Sequence, residues 1–257
     1  MNARSLFDLE GKVALITGGS RGLGLQMAEA LTDMGCAVAI TARHASDLEE
    51  ASAVLSARGA RVAAIVNDLQ EPGQIPSLVD RVLSDFGAVD ILVNNAGANW
   101  AAPAEEYPDH AWHKLMNLNV SAQFFLAREV ASRHMIPAKA GKIINVASIA
   151  GLRGTAPGVH TVGYNTSKAA AINLARTLAS EWGRYNINVN AICPGFFPTK
   201  MTHGLLEKIE EGLKARTPLR RLGGPDDLKG AIVFLASEAS RHITGQVLAV
   251  DGGSSII

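Results

Sequence analysis

The stretch Val13-Ala14-Leu15-Ile16-Thr17-Gly18-Gly19-Ser20-Arg21-Gly22-Leu23-Gly24-Leu25-Gln26-Met27-Ala28-Glu29-Ala30-Leu31 joins two hydrophobic periods through a glycine-rich turn. Val13 to Thr17 is a short, continuous apolar run of β-formers and reads as a strand buried on both faces. From Gly22 onward Leu23, Met27, Ala30, Leu31 and Met34 recur every three or four residues, which puts them on one face of a helix. A helix that opens in such a turn aims unpaired backbone N–H groups and the positive end of its dipole at the turn, where an anionic pyrophosphate fits. Gly18, Gly22 and Gly24 give Gly-x-x-x-Gly-x-Gly, a relative of the dinucleotide fingerprint Gly-x-Gly-x-x-Gly. Ser20, Arg21 and Leu23 complete the turn and join the glycines as candidate cofactor contacts. The same residues also suit a plain strand-to-helix turn that needs glycine only for its backbone.

The 257 residues are enough to bury a sizeable core, and no linker-like break divides them. Basic and acidic residues balance at 24 each, so no global field favours nucleic acid or an anionic membrane, and a small-molecule substrate is expected. The two cysteines, Cys36 and Cys193, have no metal-ligand or redox spacing. They suit buried apolar roles in a reducing, cytoplasmic setting, and no signal peptide is read ahead of Leu6. Apolar runs such as 230–236 are far shorter than a bilayer span.

Further strand and helix patterns alternate along the chain. Ala37 to Ala42 reads as a strand running into Arg43, where NAD-binding folds usually carry an acid for the ribose hydroxyls. Arg43 with Arg21 can hold the 2′-phosphate of NADP through charge-assisted, bidentate hydrogen bonds; both also suit a solvated surface. A helix over Asp47 to Ala57 precedes a strand over Arg61 to Val66, which brings Asp68 and Leu69 to its C-terminal edge, where ligands bind. A helix over Gln74 to Phe86 and a strand over Ile91 to Val93 follow, and the strand runs into Asn94-Asn95-Ala96-Gly97. Ala111 to Met135 reads as one long helix in which Asn119 interrupts an apolar setting, and a buried Asn must be satisfied. Lys142 to Val146 is a strand that delivers Ser148 to the same edge. Tyr164 to Arg184 is a helix on which Tyr164 and Lys168, one turn apart, share a face. An ammonium there favours the ionised phenol, although this spacing alone is also that of an ordinary surface pair. Ile187 to Ile192 is a strand followed by Pro194-Gly195-Phe196-Phe197-Pro198-Thr199. Met201 to Arg216 is an amphipathic lid or a plain surface helix, Pro225-Asp226-Asp227 opens another helix, and Val247 to Val250 is the last strand.

Taken together, Thr17-Gly18-x-x-x-Gly22-x-Gly24, Asn94-Asn95-Ala96-Gly97 and Tyr164-x-x-x-Lys168 stand in the order seen in short-chain dehydrogenases/reductases, and the chain resembles that family from about Leu9 to Gly253. The match includes Pro194-Gly195 with Thr199 and the Val250-Asp251-Gly252-Gly253 segment. The resemblance implies a single doubly wound, Rossmann-type α/β domain with a mainly parallel seven-stranded sheet, helices on both faces and a substrate lid at about 196–224. It implies that Ser148 hydrogen-bonds the substrate oxygen and Tyr164 exchanges its proton. Lys168 binds the nicotinamide ribose and lowers the tyrosine pKa, and Asn119 holds a water in the proton relay. Asp68, Leu69, Asn95, Ala96, Gly97, Pro194, Gly195, Phe197 and Thr199 are then cofactor contacts, Thr199 at the nicotinamide carboxamide.

The resemblance further implies reversible hydride transfer between NADP(H) and a ketone or secondary alcohol, in a homo-oligomer, a tetramer. The branch is similar to 3-oxoacyl thioester reductases and gluconate 5-dehydrogenase-like enzymes. Trp100, Phe196 and Phe197 suggest apolar contacts, whereas Arg153 and Lys200 suggest an anionic substrate. Ser148 and Tyr164 lie 16 positions apart, more than in many members, across a loop-like segment. Two rivals stay open: an NAD-dependent dehydrogenase, for which an acid at position 42 or 43 would speak, and a non-catalytic NADP-binding regulator.

Overall fold

A computed structural model describes residues 2–155, 158–199 and 203–257, with the backbone alone for 203–209. The strands are β1 (Val13–Thr17), β2 (Ala37–Ala42), β3 (Val62–Val66), β4 (Ile91–Asn94), β5 (Gly141–Val146), β6 (Ile187–Pro194) and β7 (Val247–Val250). Between them run α1 (Gly22–Asp33), α2 (Ala45–Ser56), α3 (Ile75–Phe86), α4 (Asp109–Met116), α5 (Ala122–Val130) and α6 (Ile136–Ala138). Then come α7 (Val162–Trp182), α8 (His203–Arg216) and α9 (Lys229–Ala236).

The sheet order is β3-β2-β1-β4-β5-β6-β7, and all six pairings are parallel, as expected for strands linked by helical crossovers. The chain winds outward from β1 to β3, returns to β4 and winds the other way to β7. Between β1 and β4 lies the switch point where such sheets open a crevice at their C-terminal edge.

Strand alternation divides the apolar residues between two cores. Val13 and Leu15 face one side with Leu92 and Ile143, packed by α3, α5 and α7 through Leu78, Leu126 and Ala175. Ala14 and Ile16 face the other side with Val93 and Ile144, packed by α1, α2 and α9 through Met27, Leu48 and Ile232. Each fully buried side chain of this size contributes roughly 1.5 to 3 kcal/mol. Burial on both faces is why the strands read as continuous apolar runs.

Three expectations shift in the structure. The helix expected over Ala111 to Met135 is a chain of shorter helices in which α4, α5 and α6 are joined by wider π turns at Asn117–Ser121 and Ala131–Met135. The helix carrying Tyr164 begins two residues earlier, at Val162, and ends at Trp182. Pro225 to Leu228 is a turn, and α9 begins only at Lys229. The Asp227 carboxylate, expected to cap the helix, instead accepts the Gly224 N–H at 2.6 Å and pairs with Arg221, holding the turn closed. The helix expected over Met201 to Arg216, as a lid or a plain surface helix, is found as α8, and Lys200 and Met201 lie outside the described residues.

Candidate active site

β1 ends at Thr17, whose hydroxyl oxygen accepts the N–H groups of Asn95 and Ala96, each at 2.9 Å. The same hydroxyl donates to the Val93 carbonyl at 3.4 Å. In return Asn95 Nδ2 donates to the carbonyls of Thr17 at 2.9 Å and Gly18 at 3.1 Å. The glycine turn and the Asn94–Gly97 segment are thus stitched together across the switch point, and Gly18 N–H is fastened to the Thr41 carbonyl at the end of β2.

Within the turn the glycines serve different needs. Gly22 has φ +55°, a left-handed conformation that side chains disfavour, and a Cβ there would make only ordinary contact with Thr199 at 3.7 Å. Gly24 has no such φ, but a Cβ there would collide with the Gly18 carbonyl oxygen and lie 2.5 Å from Asn95 Nδ2. The helix therefore starts close against the strand, with its first N–H groups free at the cleft. Arg21 pairs with Asp47 at 3.2 Å on the first turn of α2, and Arg43 is exposed beside it in sequence space at the end of β2.

At the other end of the cleft Ser148 follows β5 by two residues, and its Oγ accepts the Ala150 N–H at 3.1 Å. Tyr164 lies on the first turn of α7. Burial pushes its phenol above the usual range, and a hydrogen bond from the Ser148 side chain pulls it back down. Lys168 Nζ lies 5.6 Å from the centre of the Tyr164 ring and donates to the Val146 carbonyl at 2.8 Å. Burial lowers the Lys168 ammonium to about 8. For the phenol itself burial is the larger influence, and the Ser148 hydrogen bond opposes it.

One cavity of about 790 Å³ runs between these two ends. Its wall includes Gly18, Ser20, Arg21, Gly22, Leu23, Gly24 and Arg43 at one end, and Asp68, Leu69, Asn95, Ala96 and Gly97 along the middle. Ser148, Tyr164, Lys168, Pro194, Gly195, Phe197 and Thr199 close the other end. Asn119 is the exception among the expected residues. It is fully buried behind the wall, where Oδ1 accepts the Ala98 N–H at 2.8 Å. Its Nδ2 donates to the Ala98 carbonyl at 3.0 Å and to Ser167 Oγ at 2.9 Å. Both amide protons are used, so its side chain braces the segment after Gly97, and a water would be held by an Asn119 oxygen as acceptor. Sequence reasoning missed Thr17 as a brace, for which a polar residue closing an apolar strand was the available signal. It also missed Lys114, which lines the cavity from α4 and carries no local signature.

The cleft fits a dinucleotide: the close-packed turn admits backbone N–H groups to a pyrophosphate, and the arginines Arg21 and Arg43 line the end at that turn. A doubly wound sheet with that cleft and a Ser–Tyr–Lys cluster at the far end defines a dinucleotide-dependent oxidoreductase. A family model described as enoyl-(acyl carrier protein) reductase matches residues 18–255, and the chain belongs to the short-chain dehydrogenase/reductase family. It is 40% identical to the gluconate 5-dehydrogenase of Gluconobacter oxydans (strain 621H), over 100% of this chain and 99% of that one. It is 38% identical to the 5-keto-D-gluconate 5-reductase of Escherichia coli (strain K12), over 96% and 97%. The crystal structure of a gluconate 5-dehydrogenase from Burkholderia cenocepacia J2315 in complex with NADP and tartrate superposes with a TM-score of 0.94 at 36% identity, covering 100% of both chains. Among the described residues no helix is long and apolar enough to cross a membrane.

Proposed function

We propose that this chain interconverts a ketone and a secondary alcohol on a short sugar acid of the 5-ketogluconate type, with NADP(H) as its redox partner. The protein is an oxidoreductase acting on CH–OH groups, and its cofactor is NADP. NADPH, when bound, supplies the hydride that goes to the carbonyl carbon.

The protein's own residues do the rest. The N–H groups that open α1 receive the pyrophosphate, and Arg21 and Arg43 receive the 2′-phosphate. Lys168 keeps two N–H donors beyond the one given to Val146, and these serve the nicotinamide ribose. Ser148 donates to the substrate oxygen, while Tyr164 gives that oxygen a proton in reduction and takes it back in oxidation. Asn119 holds the Ala98 backbone beside the cofactor segment. Phe197 and Thr199 lead into a lid, 196–224, over the substrate end.

One observation carries the reading: Ser148, Tyr164 and Lys168 converge on the wall of the cavity whose other end is the glycine turn. The sugar-acid substrate is supported by the full-length relatives of gluconate type. A homotetrameric assembly and a cytoplasmic location complete the proposal, the first checked by light scattering.

The deciding experiment follows NADPH absorbance with 5-ketogluconate, with a 3-oxoacyl thioester and with other small ketones. Turnover fastest with 5-ketogluconate is expected. Preference for the thioester overturns the substrate, and no turnover with any ketone favours the binding-protein rival.

A further inference from the structure

The two hydroxyls of the cleft are separated by a long connection, yet their ends are tied at its base. Ser148 and Tyr164 lie 16 positions apart in the sequence. Next to Tyr164, the side chain of Asn165 reaches back: its Nδ2 donates to the Ala150 carbonyl at 2.7 Å and to the Arg153 carbonyl at 3.3 Å. Its Oδ1 accepts the Thr161 hydroxyl at 2.8 Å, inside the first turn of α7. Ala150 is the residue whose N–H is accepted by Ser148 Oγ.

We infer that Asn165 is a positioning residue for the reaction, setting the Ser148 hydroxyl against Tyr164 through Ala150, whose N–H meets Ser148 Oγ and whose carbonyl meets Asn165 Nδ2. The inference rests on the assignment of Ser148 and Tyr164 given above.

Its physical basis is a count of donors and acceptors. A serine hydroxyl has one proton to give and two lone pairs to receive with. Accepting from Ala150 occupies one lone pair and fixes the rotor, which leaves the proton to be aimed at the phenol or at a substrate oxygen. The Ala150 carbonyl, held by Asn165, fixes the peptide on one side of the Ala150 Cα and so restrains the adjoining peptide, whose N–H meets Ser148 Oγ. Close packing reinforces the clamp: a Cβ on Gly151 would lie 2.6 to 2.8 Å from the Lys168 and Ala169 backbone, so the turn after Ser148 sits directly on α7. With the clamp at the base, a change of length farther out along the connection need not move the two hydroxyls. This accounts for how a 16-residue separation is compatible with a paired Ser and Tyr.

The test compares Asn165→Ala and Asn165→Asp with wild type and with Tyr164→Phe, using NADPH and 5-ketogluconate. Aspartate keeps the acceptor for Thr161 but has no proton for Ala150, so both variants should lower kcat about ten- to a hundredfold, the scale of a small misplacement of reacting groups. The NADPH Kd and the melting temperature should stay near wild type. In the oxidative direction the rising limb of the pH profile should move to higher pH, because the phenol loses the Ser148 hydrogen bond that lowers it. Wild-type kcat and pH limb in either variant overturn the inference. Parallel loss of activity, NADPH binding and melting temperature in both variants also overturns it, in favour of a purely structural role. An active Tyr164→Phe, or a wild type without turnover on any ketone, removes the functional reading and this inference with it. An inactive Tyr164→Phe beside unaltered Asn165 variants removes the inference alone.

Discussion

The Lys168 ammonium donates a 2.8 Å hydrogen bond to the main-chain carbonyl of Val146, the last residue of β5 and two positions before Ser148. A buried cation held by one neutral carbonyl is incompletely compensated, which is why its pKa falls from 10.5 to about 8. Between those two pH values the unfolded chain binds the proton and the folded chain releases it, so stability from this group rises with pH across the window. It is fully present above 10.5 and is lost as pH falls through about 8. Thermal melts without cofactor check this: Lys168→Met should gain most over wild type near neutral pH, and the gain should shrink toward pH 10.5. A difference that does not vary with pH would refute the assignment.

Removing the Tyr164 hydroxyl takes away the proposed proton donor and leaves in place Lys168, which we propose binds the ribose. Tyr164→Phe should therefore cut kcat by about 10² to 10⁴ while the NADPH Kd stays close to wild type. Stopped-flow reduction and a fluorescence titration separate the two quantities. A substantial residual rate would point to another acid.

Cofactor choice turns on the sign of the charge at position 43. An arginine donates to a 2′-phosphate, whereas an acid would repel it. Arg43 is exposed, so the loss on Arg43→Ala is set at the lower end of a charged hydrogen bond, about tenfold in NADPH affinity with little change for NADH. Titrating both reduced cofactors into wild type and variant measures it, and a wild-type preference for NADH would reverse the assignment.

The glycines of the turn should respond unequally to alanine. Gly22→Ala meets Thr199 at ordinary contact distance without a clash and carries only the left-handed φ, a cost of about 1 to 2 kcal/mol. Gly24→Ala drives a methyl into the Gly18 carbonyl and Asn95, so α1 must move away from the strand and the pyrophosphate site opens. NADPH binding should be nearly lost in Gly24→Ala, and melting curves with and without cofactor distinguish the pair. Equal affinity in both variants would sink the distinction.

Strand, turn and helix around Gly18 to Gly24 were legible because their signals are local: an apolar run, a glycine cluster and a change of period. The cleft followed from the crossovers once strands and helices alternated. Asn119 was harder, since its partners Ala98 and Ser167 lie 21 and 48 positions away, and only their convergence shows that both amide protons are taken. Pro225 misled for a similar reason. Proline and acids signal a helix start, but Arg221 recruits Asp227 into a turn. The Lys168 bond to the Val146 carbonyl was not legible, because sequence spacing reports proximity along a helix face and says nothing of which carbonyl a lysine prefers.

Thr17 serves three polar partners with one hydroxyl, Asn95 N–H, Ala96 N–H and the Val93 carbonyl. Its neighbours therefore cannot drift independently over generations. A valine at position 17 would take the Thr17 acceptor from the Ala96 N–H and leave the Asn95 N–H only the Val93 carbonyl at 3.1 Å, and a change at position 95 would remove a donor from the carbonyls of Thr17 and Gly18 on the other side. Substitutions at these two positions should be strongly epistatic, the double variant being less harmful than the sum of the singles. Lineages that abandon one member of the pair are expected to have rebuilt the other.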